Sequence, residues 1–279
     1  MNHEASATAA TAIRVGAVTY LNAKPLVVAL EEVAPQVEVV LDYPSRLADA
    51  LAEGRLDVAM IPSIEYARGQ RARGYRIISD ACIACNGRVA SVKLYSRVPV
   101  GKIRTLALDE GSRTSATLVR ILLKERFDVT PATTPLPLGS ALGDSTADAV
   151  LLIGDRGMLI PDGDFEFVWD LGEEWTNWTG LPFIFALWIA GPGANLPGAA
   201  ALLEAARDRG VARLAEIARH EAPVVGVPEA ECLTYLRDRL RFRFGPRERQ
   251  GLERFYELAG KVDLAPPDVK LEFYGASPT

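Results

Sequence analysis

The 279-residue sequence has few residues of the types that bind metals or activate a nucleophile. Its three cysteines, an odd number, agree with a reducing compartment, and its two histidines are His3 and His220. Cys82 and Cys85 match a C-x-x-C pattern, but no second pair and no nearby histidine completes a zinc site. A redox pair stays open, although packing as small apolar residues on or beside a strand is favoured.

Long apolar runs and an excess of positive charge are also absent. No run approaches the ~20 apolar residues of a membrane span. Residues 1–12 are small and polar without a signal-peptide core, so we expect a disordered tail and a cytoplasmic protein. The net charge of −5 argues against nucleic acid as a partner. The one basic cluster, Arg237 to Arg249, alternates with apolar residues and is interpreted as a solvated helix face.

Alternating apolar runs and polar loops predict an α/β fold with largely parallel sheets. Ile13 to Val18 is the first predicted strand, and Ile103 to Leu108 echoes it. At matching distances after these two strands come Asp57 and Asp148, each followed by another apolar run. The repetition predicts two lobes built on one plan, with the two aspartates bonding to backbone groups of loops or strand ends.

Two extended segments are expected to connect these lobes. Gly87 to Ser96 alternates in polarity, and Trp178 to Trp188 is rich in strand formers and forms the return path. From Leu196 onward the sequence is mostly helical, and these helices should pack back on the first lobe. A cleft between two α/β lobes is a common place for a small-molecule site. The predicted division is lobe one at residues 13–95 and 185–279, and lobe two at residues 96–184.

The stretch from Ile103 to Leu123 predicts a strand, a tight loop and a helix, with Ser112 or Thr114 as the N-cap. Backbone N–H groups, hydroxyls and the cation Arg113 at a helix N-terminus favour binding of a carboxylate or phosphate. The structural alternative is a well-capped helix that binds nothing.

Polar loops that follow strands should converge on the cleft. Their hydroxyls, amide and backbone N–H groups suit an anionic, oxygen-rich small molecule. The candidate site residues are Tyr20, Asn22, Ser63, Ser91, Ser112, Arg113, Thr114, Ser115, Asp155, Thr179 and Gly180. The structural alternatives are Asn22 as a turn residue, Ser63 and Ser112 as caps, Ser91 as a solvent-facing strand residue and Tyr20 as apolar surface cover.

Several catalytic patterns are missing from these loops. They contain no histidine, and the sequence has neither a Gly-x-Ser-x-Gly elbow nor a Gly-rich phosphate loop with its lysine. These absences argue against hydrolysis through a His-activated serine and against nucleotide phosphoryl transfer. The tryptophans Trp175, Trp178 and Trp188 are interpreted as core or hinge packing.

Five motifs in order resemble the MqnA family, the chorismate dehydratases of the futalosine pathway of menaquinone biosynthesis. The motifs are Val15–Leu26, Pro44–Ser63, Ser91–Ser96, Leu108–Ser115 and Trp178–Phe183. The resemblance extends from about Ile13 to the C-terminal helices. The loop Thr19 to Pro25 fits this branch better than the sister dihydroxynaphthoate synthase, which typically opens with a Ser-Pro-Cys-Pro-Asn-type loop.

The resemblance implies a two-lobed, type II periplasmic-binding-protein-like fold that serves as a cytoplasmic enzyme without metal or organic cofactor. It implies that chorismate loses water to give 3-[(1-carboxyvinyl)oxy]benzoate. Carried over by position, Asn22 and Ser91 are the catalytic pair that contacts the substrate, and Ser112 to Ser115 hold a carboxylate. Since the cleft loops lack histidine, we expect the substrate's own enolpyruvyl carboxylate to be the base, positioned by Asn22 and Ser91.

Two other functions stay open. The sister synthase would leave chorismate untouched and act on a cyclic futalosine derivative. A non-catalytic solute-binding protein would capture a small carboxylate and pass it to a transporter, although the missing signal peptide and lipobox cysteine argue against this. The sequence does not predict an oligomeric state.

Overall fold

The structure is a computed structural model that describes residues 13–160, 165–194 and 196–275, so the predicted tail 1–12 lies outside the described residues. The strands in these ranges are β1 (Ile13–Val18), β2 (Val37–Asp42), β3 (Val58–Pro62), β4 (Arg76–Cys85), β5 (Val92–Ser96), β6 (Thr105–Asp109), β7 (Ala132–Leu136), β8 (Ala149–Ile153), β9 (Phe167–Asp170), β10 (Phe183–Ala190) and β11 (Leu240–Arg243).

The helices in the same ranges are α1 (Lys24–Val27), α2 (Leu30–Val33), α3 (Pro44–Ala52), α4 (Ser63–Arg73), α5 (Arg113–Phe127), α6 (Asp155–Leu159), α7 (Leu171–Thr179), α8 (Ala199–Val211), α9 (Leu214–Val225), α10 (Glu229–Thr234) and α11 (Pro246–Lys261). A π-helical turn, Tyr235–Arg239, connects α10 to β11. None of the described helices combines the length and apolar character that crossing a membrane requires.

The two sheets are built on one plan. In the first, β1 lies between β2 and β3 with all three parallel, and the antiparallel β10 follows β3. In the second, β6 lies between β7 and β8 with all three parallel, and the antiparallel β5 follows β8. The full orders are β11-β4-β10-β3-β1-β2 and β7-β6-β8-β5-β9. The predicted α/β class with two similar units is confirmed. The sheets are mixed and not largely parallel, because β4, β5 and β10, near the crossings between the sheets, pair antiparallel with their neighbours.

Each unit has an aspartate just before its third parallel strand. Asp57 accepts a hydrogen bond from the backbone N–H of Arg14 at 2.8 Å. Asp148 accepts hydrogen bonds from the N–H groups of Arg104 at 2.8 Å and Thr105 at 3.0 Å. Both carboxylates therefore bond to backbone groups at the beginning of the central parallel strand, as the sequence predicted.

The chain crosses between the sheets twice. β4 ends in the first sheet, and β5 pairs with β8 and β9 in the second. Residues 92–95, which the sequence analysis assigned to the first lobe, therefore pair in the second sheet, because their backbone partners are β8 and β9. The return strand β10 lies between β3 and β4, and its residues are buried along its whole length.

The C-terminal helices pack mainly on the first unit, where α8 contacts β4 and α11 contacts β10. The expected helical character is wrong at Leu240–Arg243, where the π-helical turn leads into β11. In that strand Leu240 and Phe242 are buried, whereas the arginines beside them are exposed. Polarity alternates with a period of two here, so the basic residues lie on the exposed face of an edge strand.

An aromatic cluster packs where the chain returns to the first sheet. The ring of Trp175 lies 5.3 Å from Phe183 and 6.2 Å from Phe255, measured between ring centroids. Its indole N–H donates to the backbone oxygen of Pro182 at 3.1 Å. Trp175 and Trp188 are fully buried, which confirms their interpretation as packing residues.

The cysteines of the C-x-x-C pattern also serve packing. Cys82 and Cys85 are free and fully buried on β4. Residues three apart on a strand point to opposite faces, so the two thiols face away from each other. Burial raises the pKa of both thiols well above the ordinary range, which keeps them protonated and unreactive.

Candidate active site

A cavity lies between the two sheets and is lined by residues of both units. Its polar lining consists of Tyr20, Asn22, Ser91, Ser112, Thr114 and Ser115. Its apolar walls include Val18, Ile83, Val92, Ile153 and Phe185. Six of the predicted site residues are therefore brought together, from loops of both units.

Tyr20 and Asn22 come from the loop that follows β1. The hydroxyl oxygen of Tyr20 and the side-chain oxygen Oδ1 of Asn22 are buried without a hydrogen-bond partner among the described residues. Buried polar atoms are nearly always bonded, so unpaired atoms that line a cavity mark places where a ligand can bond. Tyr20 is 7% exposed, which rules out its interpretation as surface cover.

The loop that carries Ser91 is held in place by the buried carboxylate of Asp170. Asp170 accepts hydrogen bonds from the N–H groups of Val89 at 2.9 Å and Ala90 at 2.6 Å, and it also caps α7. Ala90 has φ = +68°, a left-handed conformation that is costly for a residue with a side chain. Ser91 is 1% exposed and lines the cavity, so it is not a solvent-facing strand residue.

Tyr235 joins this group from the C-terminal region. Its hydroxyl donates to the Ser91 Oγ at 2.8 Å, and the side chain of Asn22 lies close to the same hydroxyl. Burial raises the pKa of Tyr235 well above its ordinary range, so the hydroxyl keeps its proton. Sequence reasoning missed this residue, because its position in an apolar pattern gave only a packing signal.

The predicted anion site at the start of α5 is capped by Ser112. The Ser112 Oγ accepts a hydrogen bond from the Ser115 N–H at 3.2 Å. The preceding loop is fixed by Asp109, which accepts from the Gly111 N–H at 2.9 Å and pairs with Arg156 at 2.5 Å. The hydroxyls of Ser112 and Ser115 thus lie at the positive end of a 15-residue helix, beside the cavity.

Thr114 and Ser63 connect the two units behind the cavity. The Thr114 Oγ1 accepts a hydrogen bond from the Ile64 N–H at 3.3 Å and lies 3.4 Å from the Ser63 Oγ. The Ser63 hydroxyl donates to the backbone oxygen of Ile184 at 2.8 Å. Ser63 is fully buried and is not among the lining residues, so it supports Thr114.

Arg113 points away from the cavity. Its guanidinium donates to Asp49 of α3 at 2.8 Å and to Glu65 of α4 at 3.3 Å. Both carboxylates belong to the first unit, whereas Arg113 begins a helix of the second. The cation that the sequence placed at the anion site therefore ties the two units together.

The other three predicted residues also do not line the cavity. Asp155 accepts a hydrogen bond from the Leu21 N–H at 3.1 Å, and burial raises its pKa to about 6. The Thr179 hydroxyl donates to the Trp175 backbone oxygen at 2.8 Å, and Gly180, at φ = +71°, ends α7. Asp155 thus supports the Asn22 loop, and Thr179 and Gly180 shape the end of a helix.

The described lining of the cavity contains no acidic, basic or imidazole side chain. No group of three or more His, Cys, Asp or Glu residues in the described ranges is arranged to hold a metal ion. The site therefore offers hydroxyl groups, an amide and the start of a helix. Such groups can orient an anionic ligand, but none of them is a base at neutral pH.

A sequence model described as menaquinone biosynthesis matches residues 13–261 of the chain. The chain belongs to this family. A chorismate dehydratase of Thermus thermophilus is 33% identical over 241 residues, which cover 78% of this chain and 84% of that protein. The family resemblance expected from the five motifs is thus confirmed for most of the chain.

Solved structures with the same fold bind small molecules in several cases. The protein AF1704 of Archaeoglobus fulgidus is 16% identical, with a TM-score of 0.70 and coverage of 90% of this chain and 98% of that one. The periplasmic aliphatic sulphonate binding protein SsuA of Escherichia coli is 17% identical, with a TM-score of 0.62 and coverage of 97% and 96%. At these identities the likeness shows the fold alone, and it confirms the periplasmic-binding-protein-like architecture of this family member.

Proposed function

We propose that the protein is a chorismate dehydratase that converts chorismate to 3-[(1-carboxyvinyl)oxy]benzoate and water. The observation that carries the proposal is a cavity whose polar lining is uncharged and includes two unpaired buried atoms, on Tyr20 and Asn22. It occurs in a member of the menaquinone biosynthesis family that is 33% identical to a chorismate dehydratase. Chorismate is then the small-molecule partner, and a biosynthetic role supports action in the cytoplasm.

The reaction needs orientation more than strong acid–base chemistry. A proton leaves the ring carbon that bears the enolpyruvyl ether, and the C–O bond of the neighbouring ring hydroxyl breaks. The C–H electron pair becomes part of the new aromatic ring, and the hydroxyl takes up the proton and leaves as water. Because aromatisation drives the elimination, holding the two bonds in a reactive geometry is the main task of the protein.

The substrate's enolpyruvyl carboxylate is the proposed proton acceptor. The lining of the cavity supplies no carboxylate or imidazole. The nearby carboxyls are engaged elsewhere, Asp109 with Arg156 and Asp155 with the Leu21 N–H. In this proposal Asn22 and Ser91 bond to the reacting part of chorismate and keep the carboxylate beside the C–H bond.

The ring carboxylate of chorismate is proposed to bind at the start of α5. The hydroxyls of Ser112, Thr114 and Ser115 and the positive end of the helix favour an anion there. Arg113 contributes indirectly, because its ion pairs with Asp49 and Glu65 hold the second unit against the first. Closure around the ligand keeps water from the reacting bonds.

Incubation of the purified protein with chorismate tests the proposal. We expect the absorbance of a substituted benzoate to appear, with loss of one water per molecule by mass spectrometry. Tight, reversible binding of unchanged chorismate would instead indicate a solute-binding protein. Consumption of a cyclic futalosine derivative with chorismate untouched would indicate the sister synthase.

A further inference from the structure

Three side chains from distant parts of the chain meet at the inner wall of the cavity. Tyr235 is 2% exposed, and its hydroxyl donates to the Ser91 Oγ at 2.8 Å. The side chain of Asn22 lies close to the same tyrosine hydroxyl. Its Oδ1 is buried without a hydrogen-bond partner among the described residues.

The hydrogen bond between Tyr235 and Ser91 sets the direction of the serine hydroxyl. The phenol gives its single proton to Ser91. Ser91 has one proton of its own, which it cannot return to a hydroxyl that is already donating to it. This proton is therefore free to point into the cavity that Ser91 lines, while the Oδ1 of Asn22 presents an acceptor.

The position of Tyr235 is fixed from both sides. It is the first residue of the π turn between α10 and β11, and turns of this kind often occur at functional sites. β11 pairs with β4, with Leu240 opposite Cys85, the last residue of that strand. The hydroxyl of Tyr235 is thus held against the loop that follows β4 and carries Ser91.

We propose that Tyr235 is a positioning residue that makes Ser91 a hydrogen-bond donor toward the substrate, beside the unpaired acceptor oxygen of Asn22. The inference rests on the proposed function. A donor at Ser91 suits the enolpyruvyl carboxylate, which only accepts hydrogen bonds. An acceptor at Asn22 suits the ring hydroxyl, which becomes a stronger donor as it takes up a proton and leaves as water.

Tyr235→Phe tests this role, because it removes one oxygen and keeps the ring. We expect kcat for chorismate to fall by roughly 10-fold or more, because the serine hydroxyl is no longer directed toward the substrate, with a much smaller change in KM. Tyr66→Phe is the matched control. Its hydroxyl is also buried and donates to the Lys270 backbone oxygen at 2.7 Å, away from the cavity, so its kcat should stay near the wild-type value.

A double-mutant cycle with Ser91→Ala separates positioning from general support of the fold. If Tyr235 acts through Ser91, adding Tyr235→Phe to Ser91→Ala should cost little further kcat. A full additional loss, or a Tyr235→Phe enzyme with wild-type kcat, would overturn the inference while leaving the proposed function intact. A wild-type protein that does not dehydrate chorismate would overturn both.

Discussion

Asp155 shows at the residue scale how burial sets a charge state beside the site. Burial raises the pKa of its carboxyl to about 6, although the hydrogen bond from the Leu21 N–H lowers it. The folded protein therefore holds this proton more tightly than the unfolded chain, whose carboxyl has a pKa of about 4. The contribution of this carboxyl to the free energy of unfolding is fully present below about pH 4 and is lost as the pH rises through about 6.

We expect Asp155→Asn to remove the free-energy cost of ionising the buried carboxyl at neutral pH, while keeping an acceptor for the Leu21 N–H. Its free energy of unfolding should exceed that of the wild type by about 2–3 kcal/mol at pH 7, and the difference should vanish near pH 4. Urea denaturation at the two pH values measures this. Asp148→Asn is a control of opposite sign, because hydrogen bonds from Arg104 and Thr105 lower the pKa of Asp148. A pH-independent effect of Asp155→Asn would contradict the assignment.

Side chains that act locally were predictable, and those that depend on distant partners were not. The capping role of Ser112 follows from the residues next to it. Tyr235 bonds to a serine 144 positions away, and no local pattern marks such a contact. Arg113 was assigned to the ligand from its place at a helix start. Two carboxylates of the other unit, Asp49 and Glu65, are its partners instead.

At the scale of elements, the loop after β8 approaches the loop after β1 more closely than a side chain allows. Gly154 has φ = +64° and ψ = −151°, a conformation that is essentially restricted to glycine. A Cβ at this position would lie 2.9 Å from the ring of Tyr20. The glycine therefore lets the tyrosine of one unit insert beside a strand end of the other.

Gly154→Ala should accordingly displace Tyr20 and strain the backbone. We expect the free energy of unfolding to fall by about 1–3 kcal/mol, together with a higher KM for chorismate. Gly143→Ala is the matched control, since a Cβ there would meet no atom within 4 Å. Thermal unfolding and initial-rate kinetics of both variants check the expectation, which fails if the two behave alike.

Helices and strands were predicted best where the spacing of apolar residues along the sequence was regular. The parallel strands and their repetition in two units followed from apolar runs and the paired positions of Asp57 and Asp148. The strand Leu240–Arg243 was missed, because four alternating residues after a helix resemble a continuation of its amphipathic pattern. Its hydrogen bonds come from β4, a partner far away in the sequence.

For the whole molecule, contacts across the cavity hold the two units together. Arg113 pairs with Asp49 and Glu65, the Thr114 Oγ1 accepts from the Ile64 N–H, and Asp155 accepts from the Leu21 N–H. None of these partners belongs to a strand, so the contacts can separate without disturbing either sheet. Ligand affinity should therefore depend on the free energy of closure as well as on direct contacts.

Arg113→Gln distinguishes a tie between the units from a direct ligand contact. Loss of a partly exposed ion pair should raise KM for chorismate by roughly 2–5-fold. Lys124→Ala is the control, because Lys124 pairs with Asp128 near the end of its own helix. A KM increase of about 100-fold would instead indicate that Arg113 binds a substrate carboxylate. An unchanged KM would show that the ion pairs do not contribute to closure.

The turnover of chorismate at saturating concentration by Asn22→Ala and Asp155→Asn decides whether the substrate supplies its own base. We expect kcat to fall by roughly 100-fold or more in Asn22→Ala, because the leaving hydroxyl and the neighbouring carboxylate lose their alignment with the C–H bond. Asp155→Asn should stay close to the wild type, since its amide still accepts from the Leu21 N–H. An inactive Asp155→Asn beside an active Asn22→Ala would contradict elimination by the substrate's own carboxylate.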